Sequence, residues 1–219
     1  TDTQDMSGTV LSEVPEFQVA EEELRAVTES FAGDYMQVPP MYSALKVNGK
    51  KLYELAREGK TVERKPRPVH FYEIEILDID FPLVRFRVTC SKGTYIRTLC
   101  HDIGEKLGCG AAMETLLRTK VGRFTLDDAI TLAQTEEAVR NGEIEQRILG
   151  IEEILAEYPR VCCREEGDRL LANGNPLVQA LVNAEEKDGW IRMCNSEGSF
   201  AGVYQWDEKR DRYFPVKMF

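Results

Sequence analysis

Histidine, tryptophan and long apolar runs are scarce in this sequence. The 219 residues include two histidines and two tryptophans, and none of the six cysteines forms a Cys-x-x-Cys pair. The spacing that structural zinc sites use is therefore missing, and we expect no structural zinc. No run approaches the roughly 20 apolar residues of a membrane span, and the polar, acidic first residues lack a signal-peptide pattern. We expect a cytoplasmic protein with free thiols and no membrane contact.

The composition is that of a folded protein. Hydrophobic residues make up 42% of the chain and aromatic residues 9%, which is enough for a sizeable core. The length allows one large domain, or a medium domain followed by a small one. A monomer is the default expectation.

Positive charge is concentrated in the middle of an acidic chain. The net charge is −10, which argues against a general nucleic-acid binder. Residues 1–36 carry nine acids and one base, whereas residues 37–69 carry eight bases and three acids. Residues 81–100 add four bases and no acid. This pattern indicates a localised face for an anionic ligand, and the alternative is an ordinary solvated surface.

Hydrophobic periodicity predicts alternating helices and strands up to about residue 157. Leu24, Val27 and Phe31 have helical spacing, with Gly33 as the stop. We predict a tight turn at "VNGK" and a short helix in "KKLYELAREG". The stretches "PVHFYEIEILDID" and "PLVRFRVTC" read as strands, and "TYIRTLCHDIGEKLG" as a helix ended by Gly108. In "TLDDAITLAQTEEAVRNG" we predict one or two helices, the first capped by Thr125 or Asp127.

The pattern of apolar runs and turn residues changes near Tyr158. Residues 160–219 contain short apolar runs separated by "NGNP", "KDG", "SEG" and "EKRD", which is typical of a small all-β domain. We place a domain boundary at about 157–160. The predicted domains are therefore 1–157 and 158–219.

Arg97 raises the main chemical question in the sequence. It lies between Ile96 and Thr98, just past the Lys-Gly turn that ends an alternating strand. A permanent cation among apolar residues needs a carboxylate or a phosphate as partner. Asp78 and Asp80 end a strand, and Asp102 lies five residues further along the same helix, off its face.

Three stretches together resemble the TruB family of tRNA pseudouridine synthases. They are "VPPMYSALKVNGKKLYELAREG", "SKGTYIRTLCHDIGEKLGCGA" and "LLRTKVGRF". The opening "TDTQDMSG" is similar to that family's segment, and "LANGNPL…GSFAGVYQWD" resembles its C-terminal PUA-type domain more weakly. Members convert a uridine in the T-loop of tRNA to pseudouridine.

The resemblance implies an α+β fold and a cofactor-free reaction. The expected fold is a pseudouridine-synthase-type mixed, mostly antiparallel sheet with flanking helices, followed by a small PUA-like β-barrel. No metal and no organic cofactor are expected. The substrate is implied to be the T-arm stem-loop of tRNA, whose target uridine flips out of its stack into a pocket. The family's catalytic aspartate follows a glycine within a "Gly-x-Leu-Asp-Pro"-like motif near the N-terminus, and an arginine matching Arg97 pairs with it.

The resemblance also assigns substrate-binding residues. Residues 37–68, named here the basic segment, match a mobile insertion that closes over the T-arm. Tyr42 could stack on a base or pack in the core, Ser43 could bind RNA or cap a turn, and Tyr95 could line the pocket or be core. Leu116 matches a leucine placed against the flipped uracil, and Asp5 matches a family acid of underived role. Phosphate contacts are expected from the basic residues Lys46, Lys50, Lys51, Arg57 and Lys92.

One departure from the family pattern limits what this chain is expected to do alone. No Leu-Asp-Pro occurs in the sequence, so we expect the chain to be a fragment without the nucleophilic aspartate. Arg97 would then pair with an aspartate absent from this chain, and a structural carboxylate is the alternative partner. One competing function is a catalytically inactive RNA-binding module that retains the synthase fold. Another is an acidic scaffold protein with no role in RNA binding, which fits the basic middle of the chain less well.

Overall fold

The computed structural model describes residues 1–183 and 187–219. They form two compact units, residues 1–121 and residues 122–219. The five-stranded sheet of the second unit begins at Arg160. The domain boundary at 157–160 stays a prediction.

The first unit is built on a three-stranded antiparallel sheet in the order β1-β4-β5. Two helices, α1 and α3, pack on one face of the sheet over a core of Leu24, Phe31, Phe71, Leu99 and Ile103. The elements are α1 Glu21–Glu29, β1 Gly33–Gln37, β2 Lys46–Val47, β3 Lys50–Lys51, α2 Leu52–Arg57, β4 Arg67–Asp80, β5 Leu83–Cys90, α3 Ile96–Leu107 and β6 Lys120–Val121.

The second unit contains a five-stranded sheet in the order β8-β10-β11-β12-β9. Only the β8–β10 pair is parallel. An isolated bridge between Cys163 and Val182 brings the segment after β9 against the end of β8, so the sheet curls towards a barrel. The elements are β7 Phe124–Thr125, α4 Leu132–Arg140, α5 Ile151–Ile154, β8 Arg160–Cys162, α6 Asp168–Ala172, β9 Leu177–Val178, β10 Trp190–Cys194, β11 Phe200–Asp207 and β12 Arg212–Met218, with 3-10 turns at Ile144–Arg147, Glu165–Gly167 and Gln179–Leu181.

Most of the predicted elements are confirmed. The "VNGK" turn joins β2 and β3, with Asn48 at φ 52° and Gly49 at φ 83°, the left-handed pair that a tight hairpin turn requires. The two long strands are β4 and β5. Helix α3 ends at Gly108, whose φ of 73° terminates the helix in the left-handed conformation.

Two local predictions were wrong. Helix α1 ends at Glu29, and Gly33 instead opens β1, a strand that its polar sequence concealed. Helix α4 is capped by Thr131, whose hydroxyl accepts a hydrogen bond from the Gln134 amide. Thr125 and Asp127, the predicted caps, precede it; Thr125 bonds instead to Asp128.

A close backbone approach at Gly104 fixes the segment that follows α3. The Gly110 amide donates to the Gly104 carbonyl at 3.0 Å. A Cβ atom on Gly104 would lie well inside contact distance of the backbone of Gly110 and Ala111. Two residues later, Met113 bonds to Gln4 and Met6. Gly104 therefore lets the chain turn back against α3 and reach the N-terminal residues.

We expect Gly104→Ala to destabilise the first unit by about 1–3 kcal/mol. The free energy needed to move the neighbouring backbone away from the new methyl group exceeds the gain in helix propensity. Urea unfolding followed by circular dichroism measures this. Gly150→Ala is the matched control, since Gly150 faces open space at an ordinary φ of −64°. Equal stabilities for the two variants would contradict the proposed close packing.

Candidate active site

Arg97 has a carboxylate partner within this chain. Its Nη1 donates to Oδ2 of Asp5 at 3.2 Å, and both side chains are largely buried, at 22% and 18% exposure. Its Nη2 donates to the backbone carbonyl of Tyr42. In this structure Asp5 neutralises the guanidinium, and the pairing of Arg97 with an aspartate absent from this chain stays a prediction.

Asp5 is held by the turn in which it lies. Its Oδ1 accepts from the Thr3 hydroxyl at 2.7 Å and from the Ser7 amide at 3.0 Å. Hydrogen bonding from the Ser7 hydroxyl, opposed by burial and supported by Thr3 and Arg97, lowers the pKa of Asp5 to about 2. Both carboxylate oxygens are thus occupied, and Asp5 is a fixed anion.

The N-terminal turn is fastened to α3 and to the segment after it. The Thr98 hydroxyl donates to Oε1 of Gln4 at 2.7 Å. Asp5 forms a parallel bridge with Met113, and the Met6 amide donates to the Met113 carbonyl at 3.0 Å. These contacts place Asp5 opposite the first turn of the helix that carries Arg97.

A side-chain amide holds the turn before Arg97. Gln37 is 1% exposed; its Nε2 donates to the Tyr95 carbonyl at 3.0 Å and its Oε1 accepts from the Tyr95 amide at 2.9 Å. The paired bonds act like one rung of a β-ladder, continuing β1 with a side chain. Sequence reasoning missed Gln37 because a lone polar residue at a strand end leaves no periodic signal.

A small cavity lies beside this clamp. It has a volume of about 80 Å³. Tyr95 and Gly93, from the turn, form part of its wall. The other lining residues are Gln37, Pro39, Leu45, Arg67 and Val69.

Four predicted substrate-binding residues differ in their contacts and exposure. The Tyr42 hydroxyl donates to Oδ2 of Asp2 at 3.2 Å, and burial, followed by the Asp2 charge, raises its pKa. Ser43 is 4% exposed, and its hydroxyl has no hydrogen-bond partner among the described residues. Lys92 is exposed on the turn before α3. Leu116 is 57% exposed, three residues after Met113.

The basic segment folds as a hairpin followed by a short helix. Leu52 and Leu55 are buried in a cluster with Met41. Tyr53 lies between two cations, with Lys51 Nζ and Arg57 Cζ each 5.3 Å from its ring centre. Lys46 and Lys50 are exposed, and Lys50 pairs with Glu58 at 3.4 Å. The hairpin thus presents a row of cations to solvent.

Residues 1–183 and 187–219 contain neither a metal-binding cluster nor a membrane-spanning helix. No group of three or more His, Cys, Asp or Glu side chains there is arranged to hold a metal ion. No helix within those ranges combines the length and apolarity that crossing a membrane requires.

The lowered pKa of Asp5 predicts an acid-sensitive first unit. Its folded-state pKa, about 2, lies below the ordinary 3.8, so its contribution to stability is complete above about pH 4 and is lost as the pH falls towards 2. We expect Asp5→Asn to lower stability at neutral pH and to weaken the pH dependence in this window. Asp78→Asn, which removes an exposed carboxylate, is the control. If stability varied with pH in the same way in wild type and Asp5→Asn, the lowered pKa assigned to Asp5 would be refuted.

Comparison with known families covers most of the chain. Residues 1–96 match the family "TruB family pseudouridylate synthase (N terminal domain)". Residues 97–156 match "tRNA pseudouridylate synthase B C-terminal domain". The first match includes Asp5, Gln37 and the basic segment, and the second begins at Arg97.

Curated relatives agree with this match. The tRNA pseudouridine synthase B of Clostridium novyi is 50% identical over 204 residues, covering 93% of this chain and 69% of that protein. That of Lachnoclostridium phytofermentans is 47% identical over 205 residues, covering 87% of this chain and 66% of that protein. This chain thus spans about two thirds of these relatives' length.

The structural likeness concerns the fold alone. A chain of the "Crystal Structure of a Cbf5-Nop10-Gar1 Complex" aligns with a TM-score of 0.65 at 23% identity, over 92% of this chain and 63% of that one. A chain of the "Structure of H/ACA RNP bound to a substrate RNA containing 2'-deoxyuridine" aligns with a TM-score of 0.63 at 21% identity, over 92% of this chain and 62% of that one. With its α+β fold and both family matches, the chain belongs to the TruB family of pseudouridylate synthases.

Proposed function

We propose that this chain provides the RNA-binding and arginine-bearing part of a tRNA pseudouridine synthase, which isomerises a T-loop uridine after flipping it out of its stack. The observation that carries the proposal is the largely buried Arg97–Asp5 pair, at 3.2 Å, placed between the basic segment and the turn before α3. The relatives named tRNA pseudouridine synthase B support the substrate class.

In this proposal Asp5 positions Arg97 and is not the nucleophile. Its Oδ1 is engaged by Thr3 and Ser7 and its Oδ2 by Arg97, which leaves it poorly placed to attack a base. The nucleophilic aspartate would come from a Gly-x-Leu-Asp-Pro-like segment, since the sequence contains no Leu-Asp-Pro. Arg97 would orient that carboxylate and keep it ionised.

The basic segment is proposed to hold the T-arm through its phosphates. Lys46, Lys50 and Arg57 are exposed. The hydrogen bond from Lys51 to Tyr53 raises the pKa of Lys51, which keeps it cationic. Tyr42, Ser43, Tyr95 and Leu116 are proposed to line the site of the flipped base, and Lys92 to contact a phosphate. The monomeric state and the cytoplasmic location stay predictions.

Tritium release from a T-arm stem-loop labelled at uridine C5 tests the activity. We expect no release by this chain alone, and release when it is joined to a segment that carries the family's Gly-x-Leu-Asp-Pro-like motif. Release by the chain alone would show that one of its own carboxylates reacts. Tight T-arm binding without release in the joined protein would favour the inactive RNA-binding module.

Arg97→Ala in the joined protein should lower turnover by about 10²–10³-fold, the usual cost of removing one oriented charged donor. Binding of the stem-loop should change little. Arg25→Ala, which removes an exposed arginine on α1, is the matched control. Turnover that stays within a few-fold of wild type would reject the role of Arg97.

Neutralising the hairpin cations should flatten the salt dependence of binding. For Lys50→Gln combined with Lys51→Gln, we expect weaker binding and a slope of log K against log [salt] that is smaller by about 1.4–1.8, because two phosphate contacts are lost. Filter binding at several salt concentrations measures the slope. Arg25→Gln combined with Lys106→Gln removes the same charge from α1 and α3. If both double variants gave the same slope as wild type, the hairpin would not contact phosphates.

A further inference from the structure

Two cysteines of the second unit face each other on adjacent strands. Strands β8 and β10 are parallel, and Cys162 is in register with Cys194. The preceding pair, Val161 and Met193, points into the core at 4% and 0% exposure. Because successive side chains alternate between faces, both cysteines lie together on the opposite face of the sheet.

The spacing of the two strands suits a disulfide. Neighbouring strands are about 4.7–4.9 Å apart, which is within the roughly 4.4–6.8 Å between Cα atoms that disulfides span. Both cysteines are free thiols in the structure. A bond between them would need rotation of the side chains and little movement of either strand.

The two thiols differ in access and in electrostatic setting. Cys162 is partly exposed, and Nη1 of Arg160 lies 3.7 Å from its sulfur. Arg160 is itself fixed by Glu152, at 2.7 Å, and by the Gly198 carbonyl. Arg160 thus places a fixed cation beside an accessible sulfur, the kind of electropositive, partly exposed setting in which reactive cysteines are found.

Cys194 has the opposite character. It is 0% exposed, and burial raises its pKa to about 11, against a smaller lowering by Arg160. Its register partner on β8 is Cys162. Cys194 is therefore shielded from solvent and adjacent to Cys162.

From this arrangement we propose that Cys162 and Cys194 form a peroxide-sensitive dithiol, with Cys162 as the reacting thiol and Cys194 as the resolving thiol. The Cys162 thiolate attacks hydrogen peroxide, breaking the O–O bond to give a sulfenic acid and hydroxide. The Cys194 sulfur then attacks the Cys162 sulfur, forming the S–S bond and losing its proton as water leaves. Overall, two thiols and one peroxide give one disulfide and two waters.

The neighbouring Cys163 is excluded from this pair by its position. It points into the core with Val182 and Leu171, at 0% exposure. Its thiol donates to Oδ1 of Asp168 at 3.1 Å, and burial raises its pKa to about 12. Cys163 is thus the internal control for a thiol that is buried but lacks a cysteine partner.

The first experiment treats the reduced chain with hydrogen peroxide, blocks the remaining thiols and measures intact and peptide masses. We expect the loss of two hydrogens and one cross-link, Cys162 to Cys194. Because Cys162 and Cys163 are adjacent, Cys163→Ser is used to assign the bond. Unchanged thiols, or a bond through another cysteine, would overturn the proposal.

The second experiment tests the order of the two steps with dimedone, which traps sulfenic acids. In Cys194→Ser the adduct should accumulate on Cys162, whereas Cys162→Ser should give no adduct on Cys194. The reverse labelling would refute the assigned roles. Circular dichroism checks that each variant is folded; if either is not, dimedone trapping in the wild-type chain at short times gives the same distinction.

A third measurement tests how the Arg160 guanidinium affects the rate of disulfide formation. Arg160→Gln should slow disulfide formation several-fold, and Arg210→Gln, at an exposed arginine paired with Asp207, should not. Equal rates in both variants and wild type would contradict the role of Arg160. These outcomes do not depend on turnover of RNA, so they stand apart from the proposed synthase function.

Discussion

The ion pair between Arg97 and Asp5 is the contact around which the first unit organises its candidate site. A guanidinium that is 22% exposed is costly to hold without an anion, and Asp5 supplies one at 3.2 Å. The two residues are 92 positions apart. Local preferences cannot bring them together, so the turn around Asp5, the start of α3 and the segment after α3 must all be placed consistently.

Three close contacts fix that placement. Gly104 lets the chain return closely against α3, the hydrogen bond between Thr98 and Gln4 fixes the N-terminal turn, and Gln37 clamps the backbone of Tyr95. Each is a single contact of modest energy. Together they restrict the guanidinium to one direction, towards Asp5 and the Tyr42 carbonyl.

The sequence predicted the parts of this unit that depend on repeated patterns. Strands β4 and β5 alternate, α3 has a helical stripe and a glycine stop, and "VNGK" has the residues of a tight turn, so each was identifiable locally. The need of Arg97 for an anion also followed from elementary electrostatics. Its partner did not, because neither spacing nor propensity encodes a contact between distant loops; the Asp-x-Ser-Gly turn chemistry at Asp5 was the one local signal. Strand β1 was missed because its sequence is polar, and the Gln37 clamp because a lone polar residue at a strand end leaves no periodic signal.

The bond from Arg97 to the Tyr42 carbonyl has a mechanical consequence. Tyr42 lies in the chain that leads into the β2–β3 hairpin, so the hairpin and the guanidinium share one tether. A ligand that draws the hairpin cations towards itself also pulls on the guanidinium that Asp5 positions. Ligand binding at the hairpin surface and the orientation of Arg97 in the interior are thereby coupled. A hairpin that moves away leaves the arginine with only one of its two hydrogen-bond acceptors.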